Sequence, residues 1–188
     1  MNQTKEETLE DIPQKRGLIS SIKEYLPFLL LGVVLALVIR LIISPTVVVG
    51  ESMESSLHSN DYLVVNKLAY KVGEPEYGDV VILDSDAVRG HDVFIKRVVG
   101  LPGDSLEIKD GNLVRNGKEV KEPYAKEKME SVDMELTIPK DEVFVLGDNR
   151  NNSMDSRIIG TLNYKKEVLG KAVLRVMPFD QSFKTTTE

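Results

Sequence analysis

Leu106-Glu107-Ile108-Lys109-Asp110-Gly111-Asn112-Leu113-Val114-Arg115-Asn116-Gly117-Lys118-Glu119-Val120-Lys121 holds two Asx-Gly pairs, each set between short runs in which apolar and polar residues alternate. A type I′ turn needs positive φ at both central residues, and Asp-Gly or Asn-Gly supplies this at little steric cost. Residues 106–109, 112–115 and 118–121 are therefore expected as successive antiparallel strands. Working outward, Tyr62 to Asn66, Val80 to Leu83, Val93 to Val99, Val143 to Leu146 and Lys171 to Val176 are short, β-branched and bounded by turn residues. No long helical period competes with them, so the part of the chain after residue 44 reads as one β-rich domain. Glu122 to Ser131 is charged and reads as an exposed excursion, and Gln181 to Glu188 as a frayed end.

The longest apolar run is Leu26 to Ile43, broken by one charge, Arg40. As a helix it spans about 27 Å, enough to cross a bilayer. Arg40 lies near its end and can snorkel, and Pro27 is expected in the first turn, where a missing N–H costs little. Lys15, Arg16 and Lys23 precede the run, and no Lys or Arg other than Arg40 appears again before Lys67, which places the N-terminus in the cytoplasm. Glu6, Glu7, Glu10 and Asp11 mix with the basic residues, and Ser44-Pro45-Thr46 gives no small-residue cleavage site, so the run reads as an uncleaved anchor. The expected organisation is a cytoplasmic tail over 1–24, polar and disordered to about residue 17, a transmembrane anchor over 25–44 and an extracytoplasmic domain over 45–188. The fold class is mainly β behind a single N-terminal transmembrane helix.

Composition removes several functions. The 188 residues carry 24 Lys+Arg and 30 Asp+Glu, a formal charge of −6, which disfavours nucleic acid as a partner. There is no cysteine, hence no thiolate nucleophile, disulfide or Cys-ligated zinc. The two histidines, His58 and His91, form no zinc-protease motif, and no phosphate-binding glycine loop is present. No cofactor or metal is expected.

Three segments carry polar residues that a β domain does not need for folding. They are Gly50-Glu51-Ser52-Met53-Glu54-Ser55-Ser56-Leu57, the stretch from Phe94 through Lys96 and Arg97 to Asp104, and Gly147-Asp148-Asn149-Arg150-Asn151-Asn152-Ser153-Met154-Asp155-Ser156-Arg157. Alternation on a strand puts Lys96 with Phe94 and Val98, and Arg97 with Ile95 and Val99, so one of the two cations must occupy an apolar face. A lysine of ordinary pKa, about 10.4, needs roughly 4 kcal/mol to lose its proton near pH 7.5. Burial removes that penalty and makes a general base, whereas a snorkelling lysine at a strand edge would do nothing chemical. Ser52 follows Gly50, which permits close backbone approach, and in an extended segment Glu51 would point away from it. The third segment fails as an EF-hand, since position three would be Arg150 and position six Ser153. It reads instead as a buried network of Asp148, Asn149, Asp155 and Arg157.

Together these segments resemble the three boxes of the bacterial type I signal peptidases: G-x-S-M-x-P-T-L, Y-I-K-R-V-x-G-x-P-G-D and G-D-N-R-x-x-S-x-D-S-R. They occur in the family's order and behind an N-terminal anchor. The resemblance implies Ser52 as nucleophile and Lys96 as general base, with Met53 beside the nucleophile. It also implies Ser153 hydrogen-bonded to the lysine, and Asp155 and Arg157 bracing the wall. Gly50 stands where some members have a serine, leaving the Ser52 N–H as the main oxyanion donor. Ser55-Ser56 replaces the family's Pro-Thr. A lysine rather than a histidine at position 96 resembles the bacterial branch, and the short span to Gly147 its compact Gram-positive forms. The function implied is a membrane-bound serine endopeptidase that cleaves signal peptides from exported preproteins at the outer face of the cytoplasmic membrane, near the secretion translocase and in contact with membrane lipid. Ser52, nine residues after Ile43, would remain close to the bilayer. Substrate is expected to add as a strand, with small side chains entering shallow apolar pockets. The alternatives are a non-catalytic, membrane-tethered β module that binds exported chains, and a Ser-His-Asp hydrolase using His58 or His91, for which no G-x-S-x-G elbow exists.

Overall fold

The computed structural model describes residues 18–84, 93–130 and 133–179, with side chains from residue 23 onward. The tail before residue 18, the end after 179, His91 and Ser131 lie outside the described residues. Two compact units divide near Arg40.

The first unit is built on helix α1, Leu18–Ile42. Within it Lys23–Ile42 is long and apolar enough to cross a membrane. Phe28, Leu31, Leu35 and Leu41 are all more than half exposed. A helix apolar around its whole circumference has no polar face to give to water. Residues 18–24, expected within the cytoplasmic tail, are helical, and Pro27 consequently sits in the helix interior rather than its first turn.

The second unit is all antiparallel. A seven-stranded sheet runs β1 (Ile43–Val47), β2 (Tyr62–Asn66), β11 (Val168–Met177), β3 (Val80–Asp84), β4 (Val93–Gly100), β9 (Glu142–Leu146) and β10 (Leu162–Asn163) in spatial order. A four-stranded sheet runs β7 (Lys118–Glu119), β6 (Asn112–Arg115), β5 (Ser105–Lys109) and β8 (Met134–Thr137). Short helices α2 (Ala69–Val72) and α3 (Ser156–Ile159) complete the elements. Both Asx-Gly turns take the expected backbone, with φ of 50° and 76° at Asp110 and Gly111 and 51° and 76° at Asn116 and Gly117. Strand β1 continues the apolar run of α1 and was not separable from it by composition; it extends because Ile43 to Val47 pair with Asn66 to Tyr62.

Strand β4 lies inside the large sheet, paired with β3 through Val81↔Lys96 and Val80↔Arg97 and with β9 through Arg97↔Leu146. The core is aliphatic: Met53, Leu57, Leu63, Val65, Val80 and Ile82 pack as one cluster with Ile95, while Val99, Leu106, Ile108, Phe144 and Leu146 join the two sheets. Glu122 to Glu130 is not simply an exposed excursion. Tyr124 and Met129 are buried, each about 4% exposed: Lys126 N ties the segment to Asp148 O in the loop after β9, and Met129 packs among Leu106, Ile108 and Leu113.

Candidate active site

The nucleophile segment is a turn rather than an extended stretch. Glu54 N donates to Glu51 O, and Ser56 N and Leu57 N both donate to Met53 O. Met53 and Leu57 are buried beneath it and anchor the turn to the core. Glu51 nonetheless points outward, its carboxylate accepting from Asn152 Nδ2. Gly50 has φ of +93°, and a Cβ there would meet nothing within 4 Å, so conformation and not close approach explains this glycine. Close approach occurs at Gly147, where a Cβ would collide with Ser153 and lie 2.5 Å from the Ser52 carbonyl oxygen.

Both cations of β4 are buried, Lys96 at 2% and Arg97 at 0% exposure, so both faces of the strand are covered. Lys96 Nζ donates to Ser52 Oγ at 2.7 Å and to its neighbour's carbonyl, Ile95 O, at 3.1 Å. Burial lowers the Lys96 pKa from about 10.5 to about 8, opposed by the carboxylates of Asp155 and Asp148. At pH 7.5 a group of pKa 8 is roughly one quarter neutral, against about one part in a thousand at the ordinary value.

Arg97 points elsewhere. Its Nε and NH2 form a bidentate pair with Asp148 at 2.8 and 2.7 Å, NH1 donates to Gly78 O, and NH2 also donates to Ser56 Oγ at 3.2 Å. Ser56, standing where the family has threonine, thus keeps the hydroxyl in use. Ser55 Oγ donates to Tyr124 O.

The third segment closes over the nucleophile turn. Asn149 N donates to Ser52 O at 3.0 Å and Asn149 Nδ2 to Glu51 O. Asp155, fully buried, accepts from Gly147 N and from Arg157 Nε and NH2, and Arg157 NH2 reaches Arg150 O. Ser153 is not placed as the resemblance implies. Its Oγ is buried beside Gly147 and forms no hydrogen bond, to Lys96 or to anything else among the described residues. Ser156, to which the sequence assigns no catalytic contact, is buried and accepts from Val145 N, so it braces α3 against β9.

Glu122 and Tyr124 were invisible to motif reading. Arg150 donates two hydrogen bonds to Glu122, at 2.7 and 2.8 Å, and Tyr124 OH donates to the same carboxylate. The Tyr124 ring lies 4.1 Å from the Arg97 guanidinium carbon. Burial and the adjacent Glu122 charge push the Tyr124 pKa up. A Glu-Pro-Tyr run beside a charged stretch carries no local signal for such a role. His58 is exposed, and the partner of Ser52 Oγ is an amine, not an imidazole. Among the described residues no three His, Asp or Glu side chains converge to hold a metal.

An apolar cleft of about 500 Å³ lies along β1 and β4, lined by Pro45, Thr46, Val47, Ile82, Val93 and Ile95. A larger one, about 1000 Å³, lies among Gly111, Val120, Pro123 and Lys128 and touches neither Ser52 nor Lys96; size does not locate the chemistry.

A serine hydroxyl held against a buried amine of lowered pKa has the equipment for acyl transfer, and the comparisons agree. Residues 22–177 match the family described as signal peptidase, peptidase S26. Signal peptidase I of Bacillus licheniformis is 41% identical over 177 residues, covering 88% of this chain and 94% of that protein. Signal peptidase I S of Bacillus subtilis is 38% identical, covering 94% and 98%, and the probable signal peptidase I-1 of Synechocystis is 37% identical, covering 84% and 83%. A crystallised signal peptidase I of Enterococcus faecalis is 30% identical with a TM-score of 0.47, covering 54% of this chain and 99% of that one. The chain belongs to the signal peptidases of peptidase family S26. It is a serine endopeptidase, a hydrolase that removes signal peptides.

Proposed function

We propose that Ser52 is the nucleophile and Lys96 its general base, in an enzyme anchored in the cytoplasmic membrane with its β domain outside. The observation that carries this reading is the 2.7 Å contact between the buried Lys96 Nζ and the half-buried Ser52 Oγ. With Lys96 neutral, its lone pair takes the Ser52 proton as Oγ adds to the scissile carbonyl. The Ser52 N–H, which has no acceptor among the described residues, is free to donate to the developing oxyanion. The lysine ammonium then gives its proton to the departing amine, leaving an acyl-serine, and a water activated by the same amine releases the signal peptide. Asp155 and Arg157 hold the Gly147 backbone over the turn, Gly50 supplies the bend into it, and Met53 roots it in the core.

The cleft beside Ile95 supports binding of an extended chain with small side chains turned inward, because β1 is an edge of the large sheet and an added strand would lie along it. Membrane lipid around α1 and a position near the secretion translocase follow from the same reading. The test is cleavage of a purified preprotein by the detergent-solubilised chain, with the product's new N-terminus sequenced and Ser52→Ala run beside it. Failure of the parent chain to cut would overturn the reading.

Orientation has its own expected result. Protease added outside spheroplasts should digest the domain after residue 44 and spare the segment before Lys23; the reverse pattern would invert the topology read from Lys15, Arg16 and Lys23.

Ser153 is proposed as an orienting group for Lys96 that engages once substrate is bound. The Ser153 hydroxyl is buried without a partner, which is costly, and a bond to the amine would satisfy it. Ser153→Ala should lower kcat roughly ten- to a hundredfold with little change in KM, the equivalent of about 1–3 kcal/mol. Parental kcat would remove Ser153 from the site, and a rise in stability alone would mark its hydroxyl as a plain packing defect.

A further inference from the structure

Arg175 lies on β11, outside all three motif segments, yet its side chain ends under the nucleophile turn. It is 5% exposed, as is Asp61. Arg175 NH1 donates to Ser56 O at 3.1 Å and to Asp61 Oδ2 at 3.0 Å. The same Asp61 oxygen accepts from His58 N at 3.0 Å, and Asp61 N donates back to His58 O. The Ser56 carbonyl at the end of the Ser52 turn and the chain that leaves it are therefore fixed by one buried ion pair. Pairing of β11 with β2 is irregular between Arg175 and Met177, a distortion of the kind that re-aims a side chain.

We infer that Arg175, oriented by Asp61, is a positioning residue for catalysis: it fixes the Ser56 carbonyl and so sets where Ser52 Oγ stands relative to Lys96. The turn is held at two ends, by Asn149 N on Ser52 O and by Arg175 on Ser56 O. Arg97 grips the Ser56 side chain and Arg175 its backbone, so losing Arg175 frees the carbonyl end while Arg97 and the core contacts of Met53 and Leu57 remain. A tilt of the turn by a fraction of an ångström weakens a proton transfer that depends on a 2.7 Å contact. The amine itself is not addressed. Its pKa is set by burial, Asp155 and Asp148, none of which Arg175 supplies.

This inference rests on Ser52 being the nucleophile, and the experiment separates the two. Parent, Ser52→Ala, Arg175→Met, Arg175→Lys, Asp61→Asn and the Arg175→Met/Asp61→Asn double variant are assayed on one preprotein, with kcat, KM, the pH profile and thermal melting measured for each. Arg175→Met should lose about ten- to a hundredfold in kcat at unchanged KM, with the acid limb of its pH profile where the parent's is. Arg175→Lys, which keeps the charge and a donor, should recover part of the loss. The double variant should be no slower than Arg175→Met alone, because Asp61 acts through the arginine. Parental kcat in a folded Arg175→Met overturns the inference, as does a loss that appears in KM or moves the pH limb. If Arg175→Met does not fold, parental kcat in both Arg175→Lys and Asp61→Asn overturns it instead. Parental rates in Ser52→Ala would defeat the nucleophile assignment, whereas parental rates in Arg175→Met beside a dead Ser52→Ala would defeat only this inference.

Discussion

Ser52→Ala and Lys96→Met should each abolish turnover, leaving less than about one thousandth of the parental kcat, while both proteins melt as folded domains. Ser52→Ala removes the atom that forms the acyl bond. Lys96→Met keeps the apolar stem in the buried channel and removes only the amine, so the packing beneath Ser52 is preserved. The parental pH profile should rise about tenfold per unit below the Lys96 pKa, near 8, and flatten above it, because the neutral amine is the active form and burial has brought that form within reach. Protonation as pH falls should therefore cost rate and leave KM nearly unchanged. Substituting His58 should leave the profile unaltered, since the Ser52 partner is Lys96. A Lys96→Met enzyme with parental rates, or a profile set by His58, would defeat the dyad.

Arg97→Met should be the most destabilising substitution around the site. Arg97 and Asp148 are both wholly buried and joined by two short hydrogen bonds. Removing one partner strands a carboxylate in the core, a change worth about 3–5 kcal/mol, or roughly 6–20 °C in melting temperature for a domain of this size. The Gly78 and Ser56 contacts fall with it, so kcat should drop even at temperatures where the variant stays folded. Arg97→Met combined with Asp148→Leu removes the stranded charge and should recover part of the stability but little of the rate, because Ser56 still lacks its donor. Melting of Arg97→Met within 2 °C of the parent would mean that the pair contributes nothing to stability.

How much of this was legible before folding differs between residues for a physical reason. The two Asx-Gly turns, the strands beside them and the helix through Lys23–Ile42 were readable because their signals are local: positive φ at paired residues, alternation with period two, and an unbroken apolar length. The candidate pair of Ser52 and Lys96 was legible through the resemblance of three segments, in order, to one family's boxes, since a lysine in an apolar strand and a serine near a glycine each have commoner uses when taken alone. What the chain alone could not say was which groups would meet. Alternation along β4 left one cation for an apolar face, and the fold buried both, because the third segment brings a carboxylate against that strand, Asp148 for Arg97. Glu122 finds Arg150 and Arg175 finds Asp61 in the same way, each across a separation that leaves no periodic trace. Strand β1 is extended only because β2 is there to pair with it. The hydroxyl of Ser153, which the resemblance pairs with Lys96, rests instead against Gly147, since side-chain direction in a loop is set by what packs around it. Local backbone preference is written residue by residue, whereas the meeting of charges across a core depends on the whole packing, and that was decided only when the sheets closed.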